Sequence, residues 1–207
     1  PKGDFLPKEQ KIRIALPPII AKDDKMKNDD LTALRRDFHR TPELGFAENL
    51  TKARIAAILT ELGLEVYEGI GVVGLLKQGS GNRAIGLRAD MDALPIIETS
   101  THDYVSQNPG TMHACGHDGH MTMLLGAAAI LAKDPNFEGK VVFLFQPNEE
   151  HGLGAQAMLD EGNLARFPNP EAYAIHKYHG PPVGQVPTRA GPVGSAALAT
   201  PKRSRRR

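Results

Sequence analysis

Residues 121–145, MTMLLGAAAILAKDPNFEGKVVFLF, decide the fold class of this protein. The first part, residues 121–133, is dense in Leu, Ala and Met without a break, which predicts a buried helix. After a short link, residues 140–145 form a continuous apolar run, which is typical of a strand covered on both faces. The pair therefore indicates a helix packed against a buried strand of a central sheet.

Further strands are predicted upstream of this unit. Residues 84–88 (AIGLR) form a short strand, so that strand, helix and strand imply a right-handed parallel crossover. Two β-branched runs, residues 64–70 and 72–77, are split by a glycine. Residues 79–82 (GSGN) predict a turn, and we expect the strands on either side of it to pair as a hairpin.

Helical patterns complete the alternation. Asn28-Asp29-Asp30 is a helix start signal, and the apolar residues that follow it keep a helical spacing until residues 41–42 (TP). A second helix is predicted over residues 48–62, before a glycine. A helix over residues 154–161 and a strand over residues 172–176 follow. The predicted class is α/β, with a largely parallel central sheet flanked by helices.

Composition excludes several classes of protein. With 207 residues, 41% hydrophobic and 24% charged, the chain suits one soluble globular domain rather than a disordered one. Lys and Arg total 25 against 24 Asp and Glu, so without its basic tail the body is slightly acidic and no nucleic-acid partner is expected. No apolar run reaches the roughly 20 residues of a membrane span. The single cysteine, Cys115, suits a reducing compartment, and we expect a cytoplasmic location.

The chain divides into three predicted parts. Residues 1–27 are a proline-interrupted leader, residues 28–193 are the catalytic part, and residues 194–207 are a tail of small and basic residues. The segment PKRSRRR at residues 201–207 fits a nucleic-acid or nuclear-localisation signal. Five basic residues at a chain end are more often solvated coil, which is the interpretation we prefer.

Residues 112–120, MHACGHDGH, suggest a metal site, because one thiol and three imidazoles lie close together. Cys115 and His117 are separated by one residue, so in an extended loop both side chains point to the same side and can reach one Zn²⁺ ion. His113 and His120 could do likewise, and the spacing does not choose between them. The alternative is that these histidines only cap the following helix or bind the backbone.

Ionisable residues also end three predicted strands. Glu149 and Glu150 follow residues 140–145, Asp90 and Asp92 follow residues 84–88, and His176 ends the last strand. In an open parallel sheet the ligand crevice lies outside the carboxyl ends of the strands. One glutamate could bind a metal ion while the other moves a proton, although acids that start a helix or form a turn would look the same.

Five segments together carry a family resemblance: RRDFHRTPELGF (residues 35–46), GLRADMDALP (86–95), MHACGHDGHMTMLLGAA (112–128), FQPNEE (145–150) and AIH (174–176). In this order they resemble the M20 metallopeptidase family, in the branch of hippurate hydrolases, aminoacylases and plant auxin-conjugate hydrolases. The similarity covers residues 31–193. It implies a zinc-peptidase-like catalytic domain and a small N-acyl amino acid as substrate.

The resemblance also implies roles for individual residues. Two divalent ions, Zn²⁺ or Mn²⁺ with Co²⁺ or Ni²⁺ as alternatives, would be bound by Cys115, His117, Glu150, His176 and one further histidine nearer the C-terminus. Glu149 would be the general base that takes a proton from water. Asp92 would orient a metal-bound imidazole.

The chain departs from the family in two respects. Family members are about twice as long, dimerise through a lid domain and regain a final metal ligand after it, so we expect an incomplete catalytic domain with little activity of its own. After His176 the sequence reads KYH, where relatives usually have Asn and an aromatic residue, and His179 is left without a role. The leading hypothesis is a metal-dependent amidohydrolase. The alternative is an inactive metal-binding remnant of the same fold.

Overall fold

The computed structural model of the protein describes residues 28–168, 171–177 and 182. The predicted leader and tail, and His179, lie outside these residues. The described elements follow in the order α1 (Asn28–Arg40), α2 (Asn49–Glu61), β1 (Glu65–Glu68), β2 (Val72–Gln78), β3 (Ala84–Asp90), α3 (His117–Lys133), β4 (Gly139–Gln146), α4 (Gly154–Asp160), α5 (Asn163–Arg166) and β5 (Ala172–Ala174).

The five described strands form one sheet in the order β1-β2-β4-β3-β5. β3 pairs in parallel with β4 and with β5, whereas β2 pairs antiparallel with β1 and with β4. The predicted α/β class and the parallel strand-helix-strand unit are confirmed, but the sheet is mixed, with a parallel half and an antiparallel half. The predicted hairpin between β2 and β3 is wrong, because the apolar strand β4 inserts between them and the hairpin is formed by β1 and β2.

Strand β4 is covered on both faces, as its continuous apolar run predicts. Its alternate residues Val141, Phe143 and Phe145 join a core with α1, α2 and α3. Val142 and Leu144 point the opposite way, into a smaller core completed by side chains from α4 and the residue after α5. Successive strand residues face opposite sides, so a strand with helices on both sides must be apolar throughout.

Helix bounds agree with the sequence signals except at one end. α2 begins after the buried Glu48 and is closed by Gly63, whose φ of 82° is the left-handed conformation expected of a glycine there. α3 begins at His117, four residues before the predicted start at Met121. The extra turn places two of the motif histidines on the helix itself, close to the core.

The parallel half of the sheet positions the site. β3, β4 and β5 run in the same direction, so the segments that follow them leave from one edge. The last turn of α3 leads into the start of β4 at the opposite edge of the sheet. The start of α3 therefore lies at the edge where β3, β4 and β5 end. Among the described helices, none is long and apolar enough to cross a membrane.

Candidate metal centre

The loop before α3 brings a thiol and an imidazole to the carboxyl edge of the sheet. Cys115 precedes Gly116, whose φ of 90° is the left-handed conformation that a side chain would strain, and His117 is the first residue of α3. The two residues were expected to share one side of an extended loop. The chain instead turns at Gly116, and the convergence of the two side chains depends on this turn.

Cys115, His117 and Glu150 meet in one crevice. A ligand atom from each lies within 4.8 Å of the others, and Nε2 of His117 lies 3.7 Å from Oε1 of Glu150. Nε2 of His176 lies 3.8 Å from Sγ of Cys115. All four predicted metal ligands are therefore neighbours, although they come from three separate parts of the chain. We call these four residues the crevice cluster.

The buried atoms of the crevice cluster fit a cation. Nδ1 of the fully buried His117 faces Asp92, but Nε2 of His117 and Oε1 of Glu150 have no hydrogen-bond partner among the described residues. A buried polar atom without a partner costs about 1 to 3 kcal/mol, so it needs an explanation. Thiolate, imidazole and carboxylate are also the ligand set that Zn²⁺ and related ions take.

The protonation states in the crevice agree with this interpretation. Burial raises the pKa of the Cys115 thiol to about 12, and the charge of Glu150 adds to the effect. The thiol by itself therefore stays protonated at neutral pH, whereas a bound cation would deprotonate it. Nδ1 of His176 lies 3.0 Å from the carbonyl oxygen of Lys177, to which it donates, so that its Nε2 keeps a lone pair towards Cys115. A backbone partner of this kind is usual for a metal-binding histidine.

Asp92 contacts two members of the crevice cluster. Its Oδ1 lies 3.3 Å from Nδ1 of His117, and its Oδ2 accepts a hydrogen bond of 3.1 Å from the backbone N–H of Glu150. Burial alone would raise the pKa of Asp92, but the contact with His117 and the backbone N–H groups lower it. A charged Asp92 can hold the imidazole and the loop together, which is the geometry that its predicted orienting role requires.

The loop after β4 carries the two glutamates. Asn148 has a φ of 47°, and its backbone N–H donates to Oε1 of the buried Glu48 over 2.9 Å. This bend turns both following carboxylates into the crevice, where Oε2 of Glu149 lies 3.7 Å from Nε2 of His117. The side chain of Glu149 is 33% exposed, against 19% for Glu150. Glu149 is thus the carboxylate that water and substrate reach more easily.

A second group of possible ligands, Asp90, His117, His120 and His176, shares the crevice. His120 is not free to bind an ion, because Nδ1 donates to Asp90 over 2.6 Å and Nε2 accepts from the N–H of Lys177 over 2.9 Å. Burial would raise the pKa of Asp90, but His120, His117 and Arg88 outweigh it and lower the pKa to about 2. His120 therefore ties the end of β3 to the segment that carries His176.

The spacing of MHACGHDGH left His113 and His120 open as ligands, and the structure separates them. His113 is 3% exposed, and burial lowers its pKa to about 4, so it is neutral at physiological pH. It is in neither group of possible ligands in the crevice. The role of His120 was missed because its partners, Asp90 and Lys177, lie 30 and 57 residues away in sequence.

Comparison with known proteins points to one family. Residues 86–198 match the model of peptidase family M20/M25/M40. The chain is 48% identical over 146 residues to hippurate hydrolase of Campylobacter jejuni, which covers 69% of this chain and 38% of that protein. It is 43% identical over 167 residues to IAA-amino acid hydrolase ILR1-like 6 of Arabidopsis thaliana, covering 79% of this chain and 35% of that protein.

A solved structure gives the same result. The Bacillus subtilis YXEP protein, described as a dinuclear metal binding peptidase from the M20 family, superposes with a TM-score of 0.63 and 39% identity over 66% of this chain and 40% of that one. The chain spans less than half the length of each of these three relatives. The family model matches more than half of the present sequence, and the helix-flanked sheet superposes on that of a family member. The chain therefore belongs to peptidase family M20/M25/M40.

Proposed function

We propose that the protein is a metal-dependent amidohydrolase that cleaves the amide bond of N-acyl or N-aroyl amino acids such as hippurate. The observation that carries the proposal is the crevice cluster, in which the unpartnered Nε2 of His117 lies 3.7 Å from Oε2 of the partly exposed Glu149. One of the two relatives is named for hippurate, which is an N-acyl amino acid, and the other for IAA-amino acids.

Cys115, His117, Glu150 and His176 would hold two divalent ions. Bound there, such ions supply Lewis acidity, which polarises an amide carbonyl and lowers the pKa of water. Asp92 keeps the imidazole of His117 and the backbone of Glu150 in place. His120 does the same for the segment of His176.

Glu149 would move the proton. Its carboxylate accepts a proton from the attacking water as the new carbon–oxygen bond forms, and then gives it to the amide nitrogen as the carbon–nitrogen bond breaks. The products are a carboxylic acid and a free amino acid. The role suits Glu149 rather than Glu150, because the Glu149 side chain is the more exposed.

The alternative is a metal-binding remnant of the same fold without activity. The test compares this chain with a hybrid chain, in which residues 28–193 are followed by the C-terminal part of the Campylobacter jejuni hippurate hydrolase. With Zn²⁺ or Mn²⁺, we expect the hybrid chain to release glycine from hippurate. A hybrid chain that folds, binds metal and is no faster than its own Glu149→Gln variant would favour the remnant.

A further inference from the structure

A second group of histidines lies outside the crevice. His39 is in the last turn of α1, and Glu98 and His102 are in the loop between β3 and α3. Oε1 of Glu98 lies 3.1 Å from Nε2 of His39 and 3.1 Å from Nε2 of His102. The three ligand atoms all lie within 4.8 Å of one another. We call these three residues the loop cluster.

The contacts of His39 leave its Nε2 without a proton in the neutral imidazole. Nδ1 of His39 lies 2.8 Å from Oδ2 of Asp118, a fully buried carboxylate that can only accept while ionised. Arg35 lies 3.3 Å from the same oxygen and favours its charged form. In the neutral imidazole Nε2 is then an acceptor, and it faces another acceptor, Oε1 of Glu98. A cation between the two atoms, either a proton or a metal ion, is required.

The distances suit a metal ion. Ligand atoms about 2.0 Å from a tetrahedral Zn²⁺ lie about 3.3 Å apart, close to the two separations of 3.1 Å around Glu98. Two imidazoles and one carboxylate are also a usual ligand set for zinc. The side chains of His39 and Glu98 are nearly inaccessible to solvent, whereas that of His102 is 29% exposed, so that water can reach a fourth position.

The surroundings of the loop cluster hold its ligands in place. Asp118 on Nδ1 of His39 is the carboxylate-histidine arrangement that usually supports a metal-binding imidazole. The other oxygen of Glu98 accepts a hydrogen bond of 2.7 Å from the backbone N–H of Ser106, which directs Oε1 towards the two histidines. The ring of His102 stacks on Tyr104 with 3.7 Å between centroids. Both ligands from the loop are thus oriented by contacts with the same loop.

We infer that the loop cluster binds one divalent transition-metal ion, for which Zn²⁺ is the best match, separately from the crevice cluster. The ion would join α1 to the loop before α3. Nδ1 of His102 is buried without a hydrogen-bond partner among the described residues, so no hydrogen bond at this nitrogen fixes the proton of the ring away from an ion. No step of the proposed hydrolysis requires this ion.

The test counts metal ions in the full 207-residue chain. Co²⁺ distinguishes the two clusters, because only the Cys115 thiolate gives a sulfur-to-cobalt charge-transfer band. After equilibration with buffered Co²⁺, we expect Glu98→Gln to contain one ion per chain less than the wild type, with the same charge-transfer band. Asp103→Asn is the matched control, since it removes one charge from the same loop without removing a ligand, and should lose no ion.

Equal cobalt content in the wild type and Glu98→Gln would overturn the inference and mean that His39 is held by a proton between two carboxylates. If Glu98→Gln does not fold, as judged by its circular dichroism, His102→Gln replaces it, because that side chain is partly exposed. His102→Gln must then also lose one ion. The charge-transfer band of Cys115 reports only on the crevice cluster. A wild type without this band would count against the proposed function, whereas equal cobalt content in the wild type and the variant would count against this inference.

Discussion

Two neighbouring residues of α3 serve the crevice cluster and the loop cluster, but the two clusters differ in how their polar atoms are satisfied. His117 enters the crevice with Nδ1 facing Asp92 and Nε2 unpartnered, whereas the next residue, Asp118, points to the other side and binds His39. In the loop cluster, each nitrogen of His39 already faces a carboxylate oxygen, at 2.8 and 3.1 Å. One helical turn thus serves two sites, because successive residues point about 100° apart.

This difference shows why residue type alone does not identify a metal ligand. The crevice cluster has a thiol and buried atoms that a cation would satisfy, so a proton cannot easily replace the ion. The loop cluster has only nitrogen and oxygen ligands, and a proton on His39 would satisfy most of them. His120 is the opposite extreme from His117, since two hydrogen bonds fill both of its nitrogens and leave none for an ion.

The largest expected effect separates the two glutamates of the crevice. In the hybrid chain, Glu149→Gln should lower kcat for hippurate by about 10²- to 10⁴-fold, the usual contribution of a general base, while metal content stays unchanged. Glu150→Gln should instead lose metal, because its oxygen is a ligand. Initial rates and bound zinc are measured on the same samples. Equal metal content in the two variants would contradict this division of roles.

Removal of metal from either cluster should lower the Tm of the folded chain. A single ion at 100 times its dissociation constant stabilises the folded chain by about 2.7 kcal/mol. For a domain of this size that corresponds to a rise in Tm of about 5 to 10 °C. We expect Zn²⁺ to raise the Tm of the wild type more than that of Glu98→Gln, as measured by circular dichroism with and without chelator. If Zn²⁺ raised the Tm of both proteins equally, the loop cluster would contribute nothing to the stabilisation by metal.

Two aspartates provide a reciprocal test. Asp92 contacts Nδ1 of His117, and Asp118 contacts Nδ1 of His39. Loss of such a carboxylate typically weakens metal binding by about 10- to 100-fold. Asp92→Asn should therefore weaken cobalt binding in the crevice cluster, which the charge-transfer band measures. Asp118→Asn should weaken cobalt binding in the loop cluster and leave the band unchanged. If both variants weaken the binding of the same ion, the two clusters are not independent.

The smallest expected effect concerns the support of the crevice. Burial raises the pKa of Glu48 above its usual value, although the hydrogen bond from Asn148 opposes the shift. Because the folded state favours the protonated acid, its contribution to stability is present below the unfolded pKa of 4.5 and is lost as pH rises through the folded value. Glu48→Gln should then be more stable than the wild type at pH 7, by less than the changes above.

The stability difference between Glu48→Gln and the wild type should shrink as pH falls, and level off below 4.5. Urea unfolding at a series of pH values measures this difference, and Glu61→Gln, at an exposed position at the other end of α2, is the control. A difference that grows as pH falls would mean that Glu48 is stabilised as a carboxylate in the folded protein.

Much of the local structure could be predicted from the residues alone. The apolar run of β4, the helical spacing of α2 and its closing Gly63 depend on neighbours in sequence, so their patterns could be recognised directly. The crevice residues could also be proposed, because parallel strands place their carboxyl ends at one edge whatever their order. The early start of α3 was missed, since Gly116 and the polar residues after it do not form a helical apolar pattern.

Tertiary structure alone decided the rest. The sequence determined that β4 is buried on both faces, but its place between β2 and β3 depends on contacts across the sheet that a period of two does not encode. It determined that MHACGHDGH is rich in ligands, but whether a nitrogen is free depends on distant partners such as Lys177 for His120. His39 and Glu98, 59 residues apart, form a pair only because α1 and the loop pack together. Hydrogen bonds and ion sites require the relative positions of these segments to be accurate to a few tenths of an ångström. Those positions are determined only when the whole chain packs.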